Sequence, residues 1–235
     1  MTFVIPEPPR ATIPVEGSQE LFPVRRIFCV GRNYAEHARE MGGDPNREPP
    51  FFFTKPADAL VPMGGKLNFP IATKDLHHEV ELAVALKGGG RQLSADAAET
   101  LIFGYAVALD MTRRDLQAEA KRLARPWDMA KGFDQSCPIS ALRPTASPAL
   151  RGELKLSVNG EVRQRGDLSD MIWSPSECLA VLSTFVELRA GDLLLTGTPA
   201  GVGAVAAGDV LEAKCALTPA LQVQYLGLET RSANP

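Results

Sequence analysis

Short apolar runs alternate along this chain with segments of helical periodicity, a pattern that predicts many short strands and a few helices. The runs RRIFCVGR and PPFFFTKP and residues 77–86 read as strands that end at Gly, Pro or charged residues. A helix is predicted for NYAEHAREM with Asn33 as its N-cap, and another from Ser94 to about Phe103. The mixture indicates an α+β domain built on a rolled β-sheet.

Turn and capping signals continue through the second half of the chain. TRRDLQAEAKRLA predicts a helix in which Thr112 and Asp115 have capping-box spacing. LKLSVNGEVRQRG predicts a hairpin that turns at its Asn-Gly pair, and SPSECLAVLSTFVEL a helix capped by Ser174 or Ser176. The tail from GDLLLTG onward reads as three short strands joined by Gly-rich turns.

Length and composition favour one large domain with ordinary core content. The chain has 235 residues, of which 45% are hydrophobic. Residues 1–23 are rich in Pro and predict an extended arm laid over a domain of residues 24–235. The four cysteines are widely spaced and form no C-x-x-C pair, which fits reduced buried thiols better than disulfides or a zinc site.

Charge and hydropathy narrow the expected partners. A net charge of −3 and a pI near 5.7 argue against nucleic acid, because phosphate binding needs a basic surface. The chain has no run of about 18 apolar residues, so no membrane span is expected. Its first residues show neither a charged start nor an apolar signal core, and we therefore expect a cytoplasmic protein.

Three acidic residues in apolar strands form the strongest chemical signal. Glu79 and Glu81 alternate with Val80 along HHEVELAVAL, so the two carboxylates point the same way, and Asp110 ends the strand GYAVALD. Crowded carboxylates repel each other unless a cation lies between them, and an all-carboxylate set suits Mg²⁺, Mn²⁺ or Ca²⁺ rather than zinc. The alternative is a solvated edge strand. His77 on the same face makes that polar stripe fully titratable and favours the metal site.

Other candidate residues surround this acidic set in the sequence. His37 and Glu40 are one helical turn apart, as a base and its orienting carboxylate would be, although a solvated surface pair has the same spacing. Leu116, Ala120 and Leu123 form the apolar stripe of the helix after Asp110, and its polar face carries Arg114, Gln117 and Lys121. Such a face is usually solvated, but Arg114 and Gln117 in the first turns could reach an anionic substrate. Lys131 lies between a Trp and a Phe; partial burial would make it unusual, and an exposed loop lysine is the default interpretation. TGTPAGVG reads as an anion cradle or a plain turn.

Seven motifs in this order resemble the fumarylacetoacetate hydrolase family, from Val24 to about Val223. They are CVGRNYAEHAREM, FFFTKPADAL, HHEVELAVAL, GYAVALDMTRRDLQ, PWDMAKGFDQSCPI, LSVNGEVRQ and LLLTGTPAGVG. The resemblance implies a mixed β-sandwich roll, a homodimer and a cytoplasmic enzyme that acts on a small acylpyruvate. It also assigns roles: Glu79, Glu81 and Asp110 as ligands of Mg²⁺ or Mn²⁺, His37 and Glu40 as a water-activating dyad, Lys131 as an active-site lysine, and Lys55, Arg114, Gln117, Gly197 and Thr198 as substrate contacts.

Within the family, the chain is similar to bacterial fumarylpyruvate hydrolases of gentisate catabolism, which predicts cleavage of fumarylpyruvate to fumarate and pyruvate. Arg114 is the first candidate for the distal carboxylate of that substrate, with Arg113 and Arg32 in reserve. The family resemblance leaves other activities open. These are oxaloacetate decarboxylation, general acylpyruvate hydrolysis, isomerisation or decarboxylation of 2-hydroxyhepta-2,4-diene-1,7-dioate, and a catalytically silent binding module.

Overall fold

The computed structural model describes residues 2–40, 48–145 and 149–227, apart from the side chains at positions 38 and 40. In these ranges the chain forms eighteen strands. They are β1 (Thr12–Pro14), β2 (Leu21–Pro23), β3 (Arg26–Gly31), β4 (Phe51–Lys55), β5 (Leu60–Pro62), β6 (Gly65–Asn68), β7 (Leu76–His78), β8 (Val80–Leu86), β9 (Ile102–Leu109), β10 (Thr112–Arg113), β11 (Cys137–Ile139), β12 (Arg143–Pro144), β13 (Glu153–Val158), β14 (Glu161–Asp167), β15 (Asp192–Leu195), β16 (Gly203–Val205), β17 (Val210–Cys215) and β18 (Leu221–Leu226).

The helices of the described ranges are few and short. They are α1 (Ala35–Glu40), α2 (Ala95–Thr100), α3 (Arg114–Arg122), α4 (Asp128–Lys131) and α5 (Pro175–Phe185), with 3₁₀ turns at Ala57–Ala59 and Leu168–Asp170. Among the described residues, none of these helices has the length and apolar character needed to cross a membrane. The sheet-dominated mixture confirms the predicted α+β roll.

Two large sheets carry the fold. One is eight-stranded, in the order β4-β3-β15-β8-β9-β11-β5 with β12 also paired to β9, and the other is five-stranded, in the order β14-β13-β17-β18-β6. A three-stranded sheet, β10-β7-β16, lies at the end of β8, and β1 pairs with β2. The chain therefore passes from one sheet to another at Glu79, between β7 and β8, so the prediction of a single strand over residues 77–86 was wrong.

Strands β8 and β9 are buried on both faces because each face packs against a different layer. On one face, Val80, Leu82 and Val84 join the core that also contains Leu154 and Leu211 of the five-stranded sheet. On the other face lie small residues, Ala83 and Ala85 of β8 and Ala106 and Ala108 of β9. By the alternation of a strand, Glu81 belongs to this alanine face.

The first residues of the chain cover the alanine face. Ile13 of β1 and Phe22 of β2 are buried in the same cluster as Ala83 and Ala106. The strands β1 and β2 thus lie over the eight-stranded sheet, as an arm would. The division into an arm of residues 1–23 and a catalytic domain of residues 24–235 remains a prediction.

Several local predictions are confirmed. The Ser94 side chain accepts a hydrogen bond from Ala97 N and caps α2. β13 and β14 form the predicted hairpin, and Asn159 and Gly160 have φ angles of 53° and 83°, as a type I′ turn requires. Ser174, rather than Ser176, caps α5 in a full capping box.

Other local predictions were wrong because tertiary contacts took the polar groups. Helix α1 begins at Ala35, and the Asn33 amide instead donates hydrogen bonds to Trp173 O and Thr196 O. Thr112 lies in β10 and forms no capping box, since Asp115 accepts its bonds from Thr73 and Lys74. Helix α2 ends at Thr100 instead of Phe103, and the tail has four strands, β15 to β18, up to residue 227 instead of the predicted three.

Capping of α5 can be tested with a matched pair of variants. Ser174→Ala should lower the free energy of unfolding by about 1 kcal/mol, because it removes the acceptor for Glu177 N. Ser176→Ala should change it by much less. Equal losses in denaturant unfolding of the two variants would contradict the assignment of Ser174 as the cap.

Candidate active site

Three carboxylates converge where β8 and β9 meet the three-stranded sheet. Val80 pairs with Leu109, so Glu79, just before β8, lies beside Asp110, just after β9. The amide of Asp110 donates a hydrogen bond of 2.8 Å to Glu79 O. Oxygen atoms of Glu79, Glu81 and Asp110 lie within 4.8 Å of one another, and all three residues are buried. The alternation along the strand implied that Glu79 and Glu81 share a face, and the pairing of β8 with β9 adds Asp110 to them.

Lys131 is buried against this acidic group. Its ammonium donates to Glu79 Oε2 at 2.7 Å, to Asp110 Oδ2 at 2.7 Å and to Thr112 Oγ1 at 2.6 Å. Burial alone would lower the pKa of Lys131, but Asp110 and Glu79 outweigh it and raise that pKa above its usual range. The alternative of an exposed loop lysine is therefore wrong: only 2% of Lys131 is accessible.

Two further cations contact the same carboxylates. Arg114 donates to Glu79 Oε1 at 2.5 Å and to Gln117 Oε1 at 2.6 Å. Lys55 Nζ lies 2.8 Å from Asp110 Oδ1 as an ion pair whose angles do not make a hydrogen bond. Burial would raise the pKa of Glu79, yet Lys131 and Arg114 hold it well below its usual range.

Glu81 forms no ion pair with a described residue. Its Oε2 accepts a hydrogen bond of 2.6 Å from Gly197 N. Burial, together with the neighbouring charges of Asp110 and Glu79, raises the pKa of Glu81 well above its usual value. Gly197 has a φ of 93°, and a Cβ there would lie 2.8 Å from Asn33 Cβ, so glycine is required for this close approach.

The donor set fits a hard divalent cation. It consists of carboxylates alone, it leaves Glu81 uncompensated, and Asp110 Oδ1 accepts no hydrogen bond from a described residue. Such a set can hold a divalent metal such as Mg²⁺ or Mn²⁺. His77 is not part of it, contrary to the polar stripe predicted from the sequence, because its Nε2 lies 2.9 Å from Asp75 Oδ1.

The acidic group forms the floor of a pocket. The pocket is lined by Val30, Gly31, Arg32, His37, Phe51, Phe53, Glu79, Glu81, Asp110, Arg114, Gln117, Lys121, Trp127, Lys131 and Thr198. His37 is 7% accessible and lies on α1 at this wall. The Glu40 side chain lies outside the described part of the chain, so the dyad of His37 and Glu40 remains a prediction.

Helix α3 directs polar residues toward the pocket. Arg114, Gln117 and Lys121 line it, and Gln117 is buried. Of the predicted apolar stripe, Leu116 and Ala120 are half-buried and Leu123 is 36% exposed. The first turns of α3 therefore reach the carboxylates, as the sequence allowed, and the alternative of a merely solvated polar face is wrong for Arg114 and Gln117.

The predicted substrate contacts separate into two groups. Arg114, Gln117 and Thr198 line the pocket. Lys55 and Gly197 do not; they lie behind it and bond Asp110 and Glu81. Lys55 also donates to the main-chain oxygens of Met111 and Lys131, which holds it away from a ligand.

Sequence reasoning missed one buried residue next to the pocket and one wall of the pocket. Gln164 of β14 is fully buried and bonds both His78 and Thr198. Strand alternation gives no signal for Gln164, since a register shift between Val162 and Gln164 puts these two residues on opposite faces of the hairpin, with Val162 44% exposed. The wall formed by Phe51, Phe53 and Trp127 was likewise not foreseen, although the clustered aromatic residues of PPFFFTKP could have indicated it.

Named relatives are similar in sequence to this chain over most of its length. The oxaloacetate tautomerase YcgM of Escherichia coli is 45% identical over 199 residues, which cover 83% of this chain and 90% of that protein. The mitochondrial oxaloacetate decarboxylase of Dictyostelium discoideum is 42% identical over 197 residues, or 83% of this chain and 89% of the relative.

A solved structure matches the fold closely. The fumarylpyruvate hydrolase of Pseudomonas aeruginosa, in complex with Mn²⁺ and pyruvate, is 45% identical and superposes with a TM-score of 0.94 over 97% of this chain and 100% of that one. The family pattern described as fumarylacetoacetate (FAA) hydrolase C-terminal matches residues 26–224. The chain therefore belongs to the fumarylacetoacetate hydrolase family, as its seven motifs suggested.

Proposed function

We propose that this protein is a divalent-metal enzyme that acts on oxaloacetate, either by tautomerising it or by decarboxylating it. The observation that carries the proposal is the buried carboxylate triad with Lys131 and Arg114 against it. Such a site favours a small 2-oxo acid, because a planar oxo-carboxylate head group offers two oxygens to a cation and carboxylate oxygens to an arginine.

The reactions of this substrate class share one intermediate charge distribution. Tautomerisation removes a proton from C3 of oxaloacetate, decarboxylation breaks the C3–C4 bond, and hydrolysis of an acylpyruvate expels the pyruvoyl arm after water attacks the distal carbonyl. Each step leaves negative charge on the C2 oxygen as an enolate. A bound Mg²⁺ or Mn²⁺ supplies Lewis-acid stabilisation of that charge.

The residues of this chain take distinct parts in the proposal. His37 removes the proton, either from C3 or from water, and Glu40 orients it. All three N–H groups of Lys131 are used by Glu79, Asp110 and Thr112, so it contributes fixed positive charge and holds the carboxylates in place. Arg114 and Gln117 bind the head-group carboxylate.

The choice of oxaloacetate rests on the named relatives. Curated relatives that cover more than four-fifths of the chain are named oxaloacetate tautomerase or decarboxylase. These names support the oxaloacetate alternative better than they support fumarylpyruvate cleavage in gentisate catabolism.

Fumarylpyruvate hydrolysis is the second candidate, and the match to the Pseudomonas aeruginosa enzyme over 97% of the chain favours it. A fumaryl tail needs a cation beyond the head group. Arg114 is held by Glu79, and the Arg113 guanidinium lies over the Phe133 ring at 4.3 Å, so Arg32 at the pocket wall is the best-placed arginine.

A cytoplasmic homodimer remains part of the proposal. Phe185 and Met129 are exposed in the single chain, as apolar residues at a subunit interface would be.

The first prediction tests the cation. Glu79→Gln, Glu81→Gln and Asp110→Asn should each reduce turnover to background and weaken Mn²⁺ binding in calorimetry, because each removes a charged oxygen ligand. Excess EDTA should abolish the wild-type activity, and Mn²⁺ should restore it. The exposed Glu119→Ala on α3 serves as the control. Full activity in EDTA would contradict the metal mechanism. Mn²⁺ binding without turnover of any 2-oxo acid would support a catalytically silent binding module.

The second prediction concerns His37. His37→Ala should lower tautomerisation and acylpyruvate hydrolysis by roughly 10²-fold, the usual contribution of a general base, with Mn²⁺ binding unchanged. Glu40→Gln should cause a smaller loss. Decarboxylation should suffer less, since the departing CO₂ needs no base. His77→Ala, outside the pocket, should stay within about twofold of the wild type. Unchanged rates of tautomerisation and hydrolysis in His37→Ala would contradict the dyad and favour the alternative of a surface pair.

The third prediction chooses the substrate. Steady-state kcat/KM should be highest for oxaloacetate in a panel with fumarylpyruvate, acetylpyruvate and 2-hydroxyhepta-2,4-diene-1,7-dioate. A tenfold preference for fumarylpyruvate over both oxaloacetate and acetylpyruvate, lost in Arg32→Leu, would establish the second candidate instead.

A further inference from the structure

Gln164 connects the five-stranded sheet to the pocket through four hydrogen bonds. Its Oε1 accepts from Val80 N at 3.1 Å, and its Nε2 donates to Pro199 O at 2.9 Å. A backbone N–H can only donate and a backbone carbonyl can only accept. These two groups therefore determine which end of the buried amide is oxygen and which is nitrogen.

The orientation of this amide sets the roles of its other two partners. His78 Nδ1 lies 2.8 Å from Gln164 Oε1, so Nδ1 must carry a proton and donate it. Thr198 Oγ1 lies 2.7 Å from Gln164 Nε2, so the hydroxyl oxygen must accept. The Thr198 hydroxyl thereby keeps its own proton for another partner.

That proton is available to the pocket. Thr198 lines the pocket with the carboxylate triad, and its hydroxyl donates to no acceptor among residues 2–40, 48–145 and 149–227. The loop that carries Thr198 is held against β14, since Gly201 has a φ of 92° and a Cβ there would lie 2.1 Å from Arg163 O. With the loop held in place, the Thr198 hydroxyl proton can still rotate about the C–O bond toward the pocket.

We propose that Gln164 is a positioning residue that makes Thr198 a hydrogen-bond donor to an anionic oxygen of the substrate head group. The identity of that substrate rests on the proposed function, whereas the chain of donors from His78 through Gln164 to Thr198 does not. A carboxylate or enolate oxygen can only accept, so a hydroxyl already used as a donor would be of no use to it.

Gln164→Glu separates this role from simple packing, because it keeps the shape and replaces the donor with an acceptor. Val80 N–H and His78 Nδ1–H still point at one oxygen of the group and favour its carboxylate form, whereas burial and Pro199 O oppose that form. KM is therefore measured at alkaline pH, where the carboxylate dominates. The Thr198 hydroxyl should then donate to Glu at position 164 and be lost to the substrate. We expect KM for oxaloacetate to rise roughly ten- to hundred-fold, the range for one hydrogen bond to a charged group.

A double-mutant cycle with Thr198→Val completes the kinetic test. Thr198→Val should raise KM by a similar factor, and the double variant by no more than either single one. Gln222→Glu, exposed on β18, adds the same charge elsewhere and should leave KM within about twofold of the wild type. The proposal would be overturned if the KM increases of the two single variants multiplied in the double variant, or if folded Gln164→Glu had the KM of the wild type.

A spectroscopic measurement tests the donor chain in the wild type, whatever the substrate and even if Gln164→Glu fails to fold. With only three histidines, long-range ¹⁵N–¹H correlations can assign His78, whose Nδ1 should be protonated. An unprotonated Nδ1 would overturn the proposal. If the wild type does not turn over oxaloacetate, the proposed function fails separately, and the dissociation constant of pyruvate with saturating Mn²⁺ replaces KM in the cycle.

Discussion

The concentration of three carboxylates in an apolar interior is the constraint on which this structure depends. Burying unpaired charge is costly, so each carboxylate must find hydrogen bonds, an opposite charge or a metal ion. Glu79 forms ion pairs with Lys131 and Arg114. Asp110 forms ion pairs with Lys55 and Lys131, whereas Glu81 accepts a hydrogen bond from a backbone amide. The imbalance that is left at Glu81 is where a divalent cation would contribute most.

The fold provides this interior by covering both faces of one strand pair. β8 and β9 carry branched residues toward the five-stranded sheet and alanines toward β1 and β2. The hydrophobic layers bury both faces of these strands, and the small alanines let the first residues of the chain approach closely. The polar groups lie where β8 and β9 end, because only there do side chains leave the packed layers without breaking the sheet.

Within the proposed function, the carboxylates at the floor of the pocket serve several reactions, and the residues of the pocket wall select the substrate. Enolate stabilisation is common to tautomerisation, decarboxylation and carbon–carbon hydrolysis, so the triad cannot distinguish these substrates. Arg32, Lys121 and the aromatic side chains of Phe51 and Trp127 stand above the floor and meet the rest of the substrate. Partial burial is the main cause that lowers the pKa of Lys121, and the charges of Arg114 and Arg32 add to it.

The sequence by itself determined the principal strands, the Asn-Gly hairpin, a serine cap on α5 and the shared face of Glu79 and Glu81, because these follow from local periodicity and turn chemistry. Tertiary structure decided what depends on partners distant in sequence. It gave the Asn33 amide to Trp173 instead of a helix cap, turned the polar face of α3 inward, and buried Lys131 between two carboxylates. It also brought Gln164 to Thr198, a contact that no pattern in β14 announces, since a buried polar side chain is defined by its partners rather than by its neighbours in the chain.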